Sequence, residues 1–364
     1  MITETQVEEK IVIAADSDIG TSRDENEDFY FYSKPKKFVV VCDGMGGHQK
    51  GALASQMAAE TVRDVMTASD TLRNLVVQNR FFDLNQACQD VDEEYPLIAR
   101  KLIAGIRLAN RRILHLASQN QLGLGMGTTV SAAAFHEGNI IIAHVGDSRA
   151  YRLRAGQLTC LTRDHSWLNE LIEDKEIEEE EIKKFQKKNV LTRALGMSAT
   201  LKIDLLIETV QDEDLYLICS DGLHNALNDE LIKGVLCAFH GTLQNKISSL
   251  VRSARTMKGS DNITGGLTYI TGSQPPIAGC QITRKTVKDE PPEVTAYLDQ
   301  AVKSIYQAPV EKKRLRVKKS LLWALVIFIF TLVAFMLYRV STASPANIRA
   351  ADKLSERSVS TVHF

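Results

Sequence analysis

Four aspartates stand where an apolar run meets a loop, and that placement suits the binding of a divalent cation. Asp43, Asp147 and Asp221 each end an apolar run, and Asp261 directly precedes one. Asp43 opens the stretch Asp-Gly-Met-Gly-Gly-His at 43–48, where glycines let the backbone come very close to a bound group. Hard cations take carboxylate oxygens and backbone carbonyls, so the Asp43 side chain and the Gly44 carbonyl are both ligand candidates. A second group of residues lies upstream. Arg23 offers a planar fork suited to phosphate oxygens, and Glu27 and Asp28 follow it just before the aromatic run 29–32. Taken singly, each feature has a plainer explanation. Asp-Gly commonly starts a turn, and an Arg23–Glu27 surface ion pair would contribute less than about 1 kcal/mol.

The flanking sequence says which elements must present these groups. The runs 11–15, 38–42, 128–135, 140–145, 150–154, 157–161, 201–209, 215–219 and 263–270 read as strands. Between 128 and 161 they are joined by short turns, and three successive hairpins are expected. Asp16-Ser17-Asp18 reads as a turn after the first strand. Helical spacing is present at 51–66, 97–117, 229–239 and 243–255, and the polar interruption 162–195 carries an acidic run at 173–181. If Asp43 and Asp221 end strands and Asp261 begins one in an antiparallel arrangement, the three carboxylates share a rim. Two bare carboxylates about 4 Å apart repel by about 4 kcal/mol at an effective dielectric of 20, so such a cluster calls for cations. Oxygen-only ligands favour Mg²⁺ or Mn²⁺ over zinc.

Composition narrows the class. Apolar residues make up 44% and charged residues 24%, an ordinary globular balance, and the net charge of −1 gives nucleic acid no electrostatic claim as a partner. The six cysteines form no Cys-x-x-Cys pair, which fits a reducing compartment. The N-terminus is acidic where a signal peptide would be basic. Five prolines between 271 and 319 mark a linker with a short helix at 293–306, ending in a basic cluster from Lys312 to Lys319. Residues 321–338 contain only Thr331 as a polar interruption. At about 1.5 Å per residue they would extend about 27 Å, enough for a bilayer core. The basic side is expected to stay in the cytoplasm.

The order of short motifs resembles the metal-dependent serine/threonine protein phosphatases (PPM family, type 2C), bacterial type. These are RDENED at 23–28, DGMGGH at 43–48, GTT at 127–129, GDSR at 146–149, LTRALG at 191–196, SDGL at 220–223 and SDNIT at 260–264. The resemblance implies an α+β fold, a four-layer αββα sandwich of two antiparallel sheets flanked by helices, to which the sequence adds a single transmembrane helix. It implies a dinuclear Mn²⁺ or Mg²⁺ centre between the sheets: Asp43 bridging both ions, the Gly44 carbonyl on one, Asp221 and Asp261 on the other. It makes Arg23 the phosphate-binding arginine, Glu27 and Asp28 the acids that position metal-bound waters, and Asp147 a ligand of a third ion. Residues 162–195 would be the flap beside the substrate groove. Animal members carry His after Asp-Gly, whereas this chain has Met45, and His48 and His165 are the sequence neighbours that could protonate a leaving alcohol.

The expected organisation is a phosphatase domain at 1–270, a linker at 271–319, a transmembrane helix at 320–338 and a tail at 339–364. The expected activity is hydrolysis of phosphoserine and phosphothreonine in proteins by a metal-activated water, on the cytoplasmic face of the cell membrane. Membrane lipid would contact 320–338, and a membrane Ser/Thr kinase is the partner that tethering favours. A catalytically inactive phosphatase-like phosphosensor is the alternative, and the complete acid set speaks against it.

Overall fold

Four runs of the chain, 38–42, 130–135, 140–145 and 215–219, are buried at every position. Successive residues of a strand point to opposite faces, so full burial requires cover on both sides. The computed structural model supplies it. It describes residues 10–306 except 48, 69–73, 78–79, 120–124, 174–189, 239–240, 258 and 273–282, together with 331, 332, 334, 335 and 338.

The chain begins with strands β1 (Lys10–Asp18), β2 (Asp28–Ser33) and β3 (Phe38–Met45), followed by helix α1 (Gln49–Thr67). A small hairpin, β4 (Asn74–Val77) and β5 (Arg80–Asp83), leads through α2 (Leu84–Ala87) to α3 (Leu97–Gln119). Next come β6 (Gly127–Thr128), β7 (Val130–His136), β8 (Asn139–Val145), β9 (Arg149–Arg154), β10 (Gln157–Cys160) and α4 (Trp167–Glu173). The rest is β11 (Ile203–Thr209), β12 (Leu215–Cys219), α5 (Asp221–Ala226), α6 (Asp229–Ala238), α7 (Leu243–Thr256), β13 (Ile263–Thr271), β14 (Thr283–Val287) and α8 (Pro292–Tyr306).

One sheet runs β1-β13-β12-β9-β10 and the other β14-β11-β8-β7-β3-β2, with β6 attached to β3. The inner faces meet through Val39, Val41, Ala133, Phe135 and Ile142 on one side and Ile13, Ala150, Tyr216 and Ile218 on the other. The outer face of the second sheet packs against α1, α3 and α8, and that of the first against α5, α6 and α7. The expected sandwich of two antiparallel sheets with helices outside both is present.

Three features differ from the sequence reading. Asp16-Ser17-Asp18 is no turn: β1 continues to Asp18, paired with Ile263. The three successive hairpins reduce to two. β7 pairs with β8 and β9 with β10, but β8 and β9 lie in different sheets, and Gly146-Asp147-Ser148 carries the chain across the sandwich between them. A three-residue connection between strands resembles a hairpin loop in sequence, and only the packing of the two sheets separates the cases.

The third difference is the domain boundary. The chain divides into compact units Met1–Gln307 and Ala308–Phe364, so the first extends past 270. β14 pairs with β11, and α8 buries Val294, Leu298 and Val302 in the helix layer. Pro292, read as linker composition, is the first residue of α8, where its fixed φ suits a helix start. The junction is polar as well as apolar. Fully buried Arg107 forms two 2.7 Å bonds to Asp90 and also donates to the Lys288 carbonyl, while the Leu201 amide donates to Glu290 Oε2 at 2.7 Å. In the second unit only five positions are described, all helical. The expected span 320–338 otherwise lies outside the described residues, among which no helix is long and apolar enough to cross a membrane.

Two predictions follow from this packing. Val294, Leu298 and Val302 should each contribute about 1.5–3 kcal/mol by burial, so a 1–307 fragment should resist urea better than a 1–270 fragment by several kcal/mol. Equal unfolding midpoints would contradict the assignment of β14 and α8 to the first unit. The second prediction concerns His144. Burial, reinforced by the adjacent His165, pushes its imidazole down to about 3. The unfolded chain therefore binds more protons than the folded one between about pH 6.5 and 3, and this residue's contribution fades as pH falls through that window. His144→Gln should flatten the pH dependence of unfolding free energy, by about 2 kcal/mol between pH 7.5 and pH 5. The difference between variant and parent isolates His144 from the carboxylates, whose upward shifts act in the opposite direction.

Candidate active site

Asp43 is held through its own backbone by Thr128 and Thr129. Its amide donates to Thr129 Oγ1 at 3.0 Å, and its carbonyl accepts from the Thr129 amide at 2.8 Å and from Thr128 Oγ1 at 2.9 Å. Asp28 lies opposite it in the β2–β3 ladder. The next residue tolerates no side chain. A Cβ on Gly44 would lie 2.1 Å from the Gly51 carbonyl oxygen and 2.5 Å from that of Glu27. The glycine is therefore a packing requirement, and it lets β3, the start of α1 and the Arg23–Glu27 loop converge.

The opposing sheet supplies the other acids. Asp221 starts α5 immediately beyond β12, and Asp261 lies just before β13. The acids thus straddle two sheets instead of sharing the rim of one, because β3 lies in the sheet opposite β12 and β13. Ser220 joins the halves: its Oγ donates to Asp28 Oδ2 at 2.7 Å and accepts from the Thr264 amide at 3.0 Å. Asn262 ties down the loop that carries Arg23. Its Oδ1 accepts from the Glu27 amide at 2.8 Å, while Nδ2 donates to the carbonyls of Ile19 and Glu25 at 2.9 and 3.1 Å.

The result is a cavity of about 400 Å³ lined by Arg23, Glu27, Asp43, Gly44, Asp147, Asp221 and Asp261, with Met45, Thr129, Leu191 and Met197 completing its walls. Of the acids expected at the site, only Asp28 is absent from the lining; it is buried behind Asp43. Arg23 pairs with Asp261 at 2.8 Å, not with Glu27 as the surface-pair reading had it.

Crowding shows in the proton affinities. Burial holds Asp43 well above the usual carboxylate range, and Asp28, Asp221, Asp147 and Asp261 push it further. Asp28 rises to about 7, chiefly by burial, and Asp147 to about 7 by burial and by Asp221. Asp221 is raised by burial and Asp261, although the Asp43 carboxyl lies within hydrogen-bond reach. Asp28 Oδ1 is buried without a hydrogen-bond partner among the described residues.

Five carboxylates in the lining faced by a single described cation, Arg23, fit hard divalent ions. Among the described residues no three His, Cys, Asp or Glu converge closely enough to hold an ion by side chains alone. Ions here would therefore draw on the Gly44 carbonyl and on water, as Mg²⁺ and Mn²⁺ do readily.

Several contributors were not assigned from sequence. Ser220, Asn262 and Thr129 lie inside the short motifs 220–223, 260–264 and 127–129, so their position was visible but their bonds were not. His165 does not line the cavity. It is buried, with Nδ1 accepting from the Gly146 amide at 3.1 Å and Nε2 3.2 Å from Asp204. That arrangement leaves no proton facing a leaving group. His48 and most of the acidic run 173–181 lie outside the described residues.

Comparison with known proteins agrees with this geometry. The sequence model of the family Protein phosphatase 2C matches residues 21–255. The serine/threonine phosphatase stp of Listeria innocua is 34% identical over 251 residues, covering 68% of this chain and 91% of that protein. Among solved structures, the Mycobacterium tuberculosis serine/threonine phosphatase PstP/Ppp superposes with a TM-score of 0.59 at 28% identity, over 72% of this chain and 99% of that one. The catalytic domain of PstP in complex with two manganese ions gives 0.57 at 28% identity, over 72% and 99% of the two chains. A cavity built from acids of both sheets, on a sandwich that carries the family's motifs in order, places this chain in the protein phosphatase 2C family, as a serine/threonine phosphatase of the bacterial type.

Proposed function

We propose that the chain removes phosphate from phosphoserine and phosphothreonine in proteins, using two Mn²⁺ or Mg²⁺ ions, and that it does so while anchored to the cytoplasmic face of a membrane. The observation that carries the catalytic part is the convergence of Asp43, Asp221, Asp261 and Asp147 with Arg23 on one open cavity. Asp43, Asp221, Asp261 and the Gly44 carbonyl would hold the two ions, and Asp147 a third. Bound there, the ions would supply positive charge to the phosphoryl oxygens and make water a nucleophile near neutral pH.

The remaining steps belong to the protein. Arg23 is half-exposed and tied to a single carboxylate oxygen, so its fork can turn to a phosphate at small cost. Glu27, whose amide is fixed by Asn262, would orient water against that phosphate, while Asp28, held by Ser220, backs Asp43. Met45 brings no proton to the cavity and His165 does not line it, so among the described residues water held by the acids is the proton source for the leaving alcohol. The complete set of acids favours turnover over a binding-only role. Chelator should abolish hydrolysis of a phosphothreonine peptide in Mn²⁺. Asp221→Ala should lower kcat by about 10²–10³-fold or more with the fold intact by circular dichroism. Retention of activity in either case would exclude this mechanism.

The membrane part rests on sequence. The apolar run 321–338 follows a cluster of Lys312, Lys313, Arg314, Arg316, Lys318 and Lys319, whereas Arg339 alone follows it closely. That asymmetry orients the catalytic unit inward. Anchoring raises the effective concentration of phosphatase near membrane proteins, which makes a membrane Ser/Thr kinase a fitting substrate. The full chain should sediment with membranes and resist extraction by high salt, and deletion of 308–364 should release it. A full chain found in the soluble fraction would rule out the anchor.

A further inference from the structure

The loop that carries Asp147 across the sandwich is gripped on both sides by histidines. Before Asp147, the Gly146 amide donates to His165 Nδ1 at 3.1 Å, and the Gly146 carbonyl accepts from the His165 amide at 2.7 Å. After it, His224 Nε2 donates to the Asp147 carbonyl at 3.0 Å. His165 comes from the segment after β10 and His224 from α5, three residues beyond Asp221. Both rings are fixed in role. Nδ1 of His165 must accept, so its proton is on Nε2, facing Asp204 Oδ2 at 3.2 Å. His224 must carry its proton on Nε2 to meet a carbonyl.

The loop needs such restraint. Gly146 has φ +115°, and a Cβ there would lie 2.6 Å from the Thr129 side chain, so the backbone is pressed against the residue that bonds the Asp43 backbone. Asp221 and Asp164 both act on the Asp147 carboxyl with like charge. A three-residue crossing under that repulsion would relax toward solvent unless its peptide groups were held.

We infer that His165 and His224 are positioning residues that clamp the Gly146–Asp147 peptide and so set the Asp147 carboxylate for the ion it holds. This rests on the reading of Asp147 as a metal ligand given above, and it assigns a role to two imidazoles that never face the substrate cavity. The clamp acts through backbone, which makes it separable from loss of bulk. Gln at 224 can present its amide where Nε2 stands, and Asn at 165 can present its carbonyl oxygen where Nδ1 stands. Leu at either position fills space and bonds nothing.

The test is titration of Mn²⁺ alone into the metal-free full chain by calorimetry, with Asp147→Ala as reference and thermal midpoints recorded throughout. His224→Leu and His165→Leu should weaken the Mn²⁺ site that Asp147→Ala removes by about tenfold to a hundredfold. His224→Gln and His165→Asn should keep that site near the parent value. Loss of the site in Asp147→Ala with parent-like binding in both leucine variants would overturn the clamp and leave the metal reading standing. So would Gln and Asn variants as impaired as the leucine ones at equal thermal midpoints. Parent-like Mn²⁺ binding by Asp147→Ala would remove the metal reading of Asp147, and the clamp with it. If His165→Leu does not fold, His224→Leu, at a half-buried position, decides the matter alone.

Discussion

Repulsion among carboxylates is the constraint that the rest of this structure serves. Burial, reinforced by the charges that Asp28, Asp43, Asp147, Asp221 and Asp261 exert on one another, makes four of them favour the protonated form more than a free carboxyl would. Left to themselves they would separate. They are kept together by groups that bring no compensating charge: the Thr128 and Thr129 contacts to the Asp43 backbone, Ser220 between the sheets, and Asn262 under the Arg23 loop. Among the described residues Arg23 is the one cation in the cavity lining, and it reaches a single Asp261 oxygen. The scaffold therefore stores an electrostatic imbalance that divalent ions relieve, and the same imbalance gives the site its affinity for them.

Holding that imbalance explains features that otherwise look like ordinary packing. Three close approaches pin the loops that carry acids. A side chain on Gly44 would meet the Gly51 and Glu27 backbone, one on Gly222 the Asn262 carbonyl oxygen at 2.1 Å, and one on Gly20 the Asp261 carbonyl oxygen at 2.0 Å. Each contact lets an acid-bearing loop rest directly on a neighbouring backbone, with no flexible side chain between. The two-sheet interior provides rigid ground. Val39 and Val41 pack on Ile13, Ala150 and Ile218 across the sandwich, so β3 cannot slide without disturbing the opposite sheet.

How much of this was legible in the sequence depends on the range of the interaction involved. Buried strands announce themselves, because a run such as 215–219 is apolar whichever way it faces, and the structure gives β12 over Leu215–Cys219. The Asp-Gly steps were legible for the same local reason. The partner of Arg23 was not, since Asp261 is 238 positions away while Glu27 is only four. Gly146-Asp147-Ser148-Arg149 has turn chemistry, and nothing within it distinguishes a hairpin from a crossing between sheets. The fate of 283–306 depended on what it could cover. Its helix was legible at 293–306, but its prolines suggested a linker, and only the uncovered edge of β11 and the exposed flank of α3 made a strand of 283–287 and docked that helix.

That last segment is joined to the site by hydrogen bonds as well as by packing. Thr286 on β14 donates to Asp204 Oδ1 at 2.9 Å, Asp204 Oδ2 takes the Nε2 proton of His165, and His165 Nδ1 takes the Gly146 amide. Three hydrogen bonds thus connect a strand beyond the family-matched residues 21–255 to the residue preceding Asp147. The coupling is necessarily graded. Asp204 also lies 3.4 Å from Arg193, so loss of Thr286 would leave its carboxylate partnered and His165 in place, whereas loss of His165 would cut the chain at its only ring. The extension therefore stabilises the site's surroundings without completing the site.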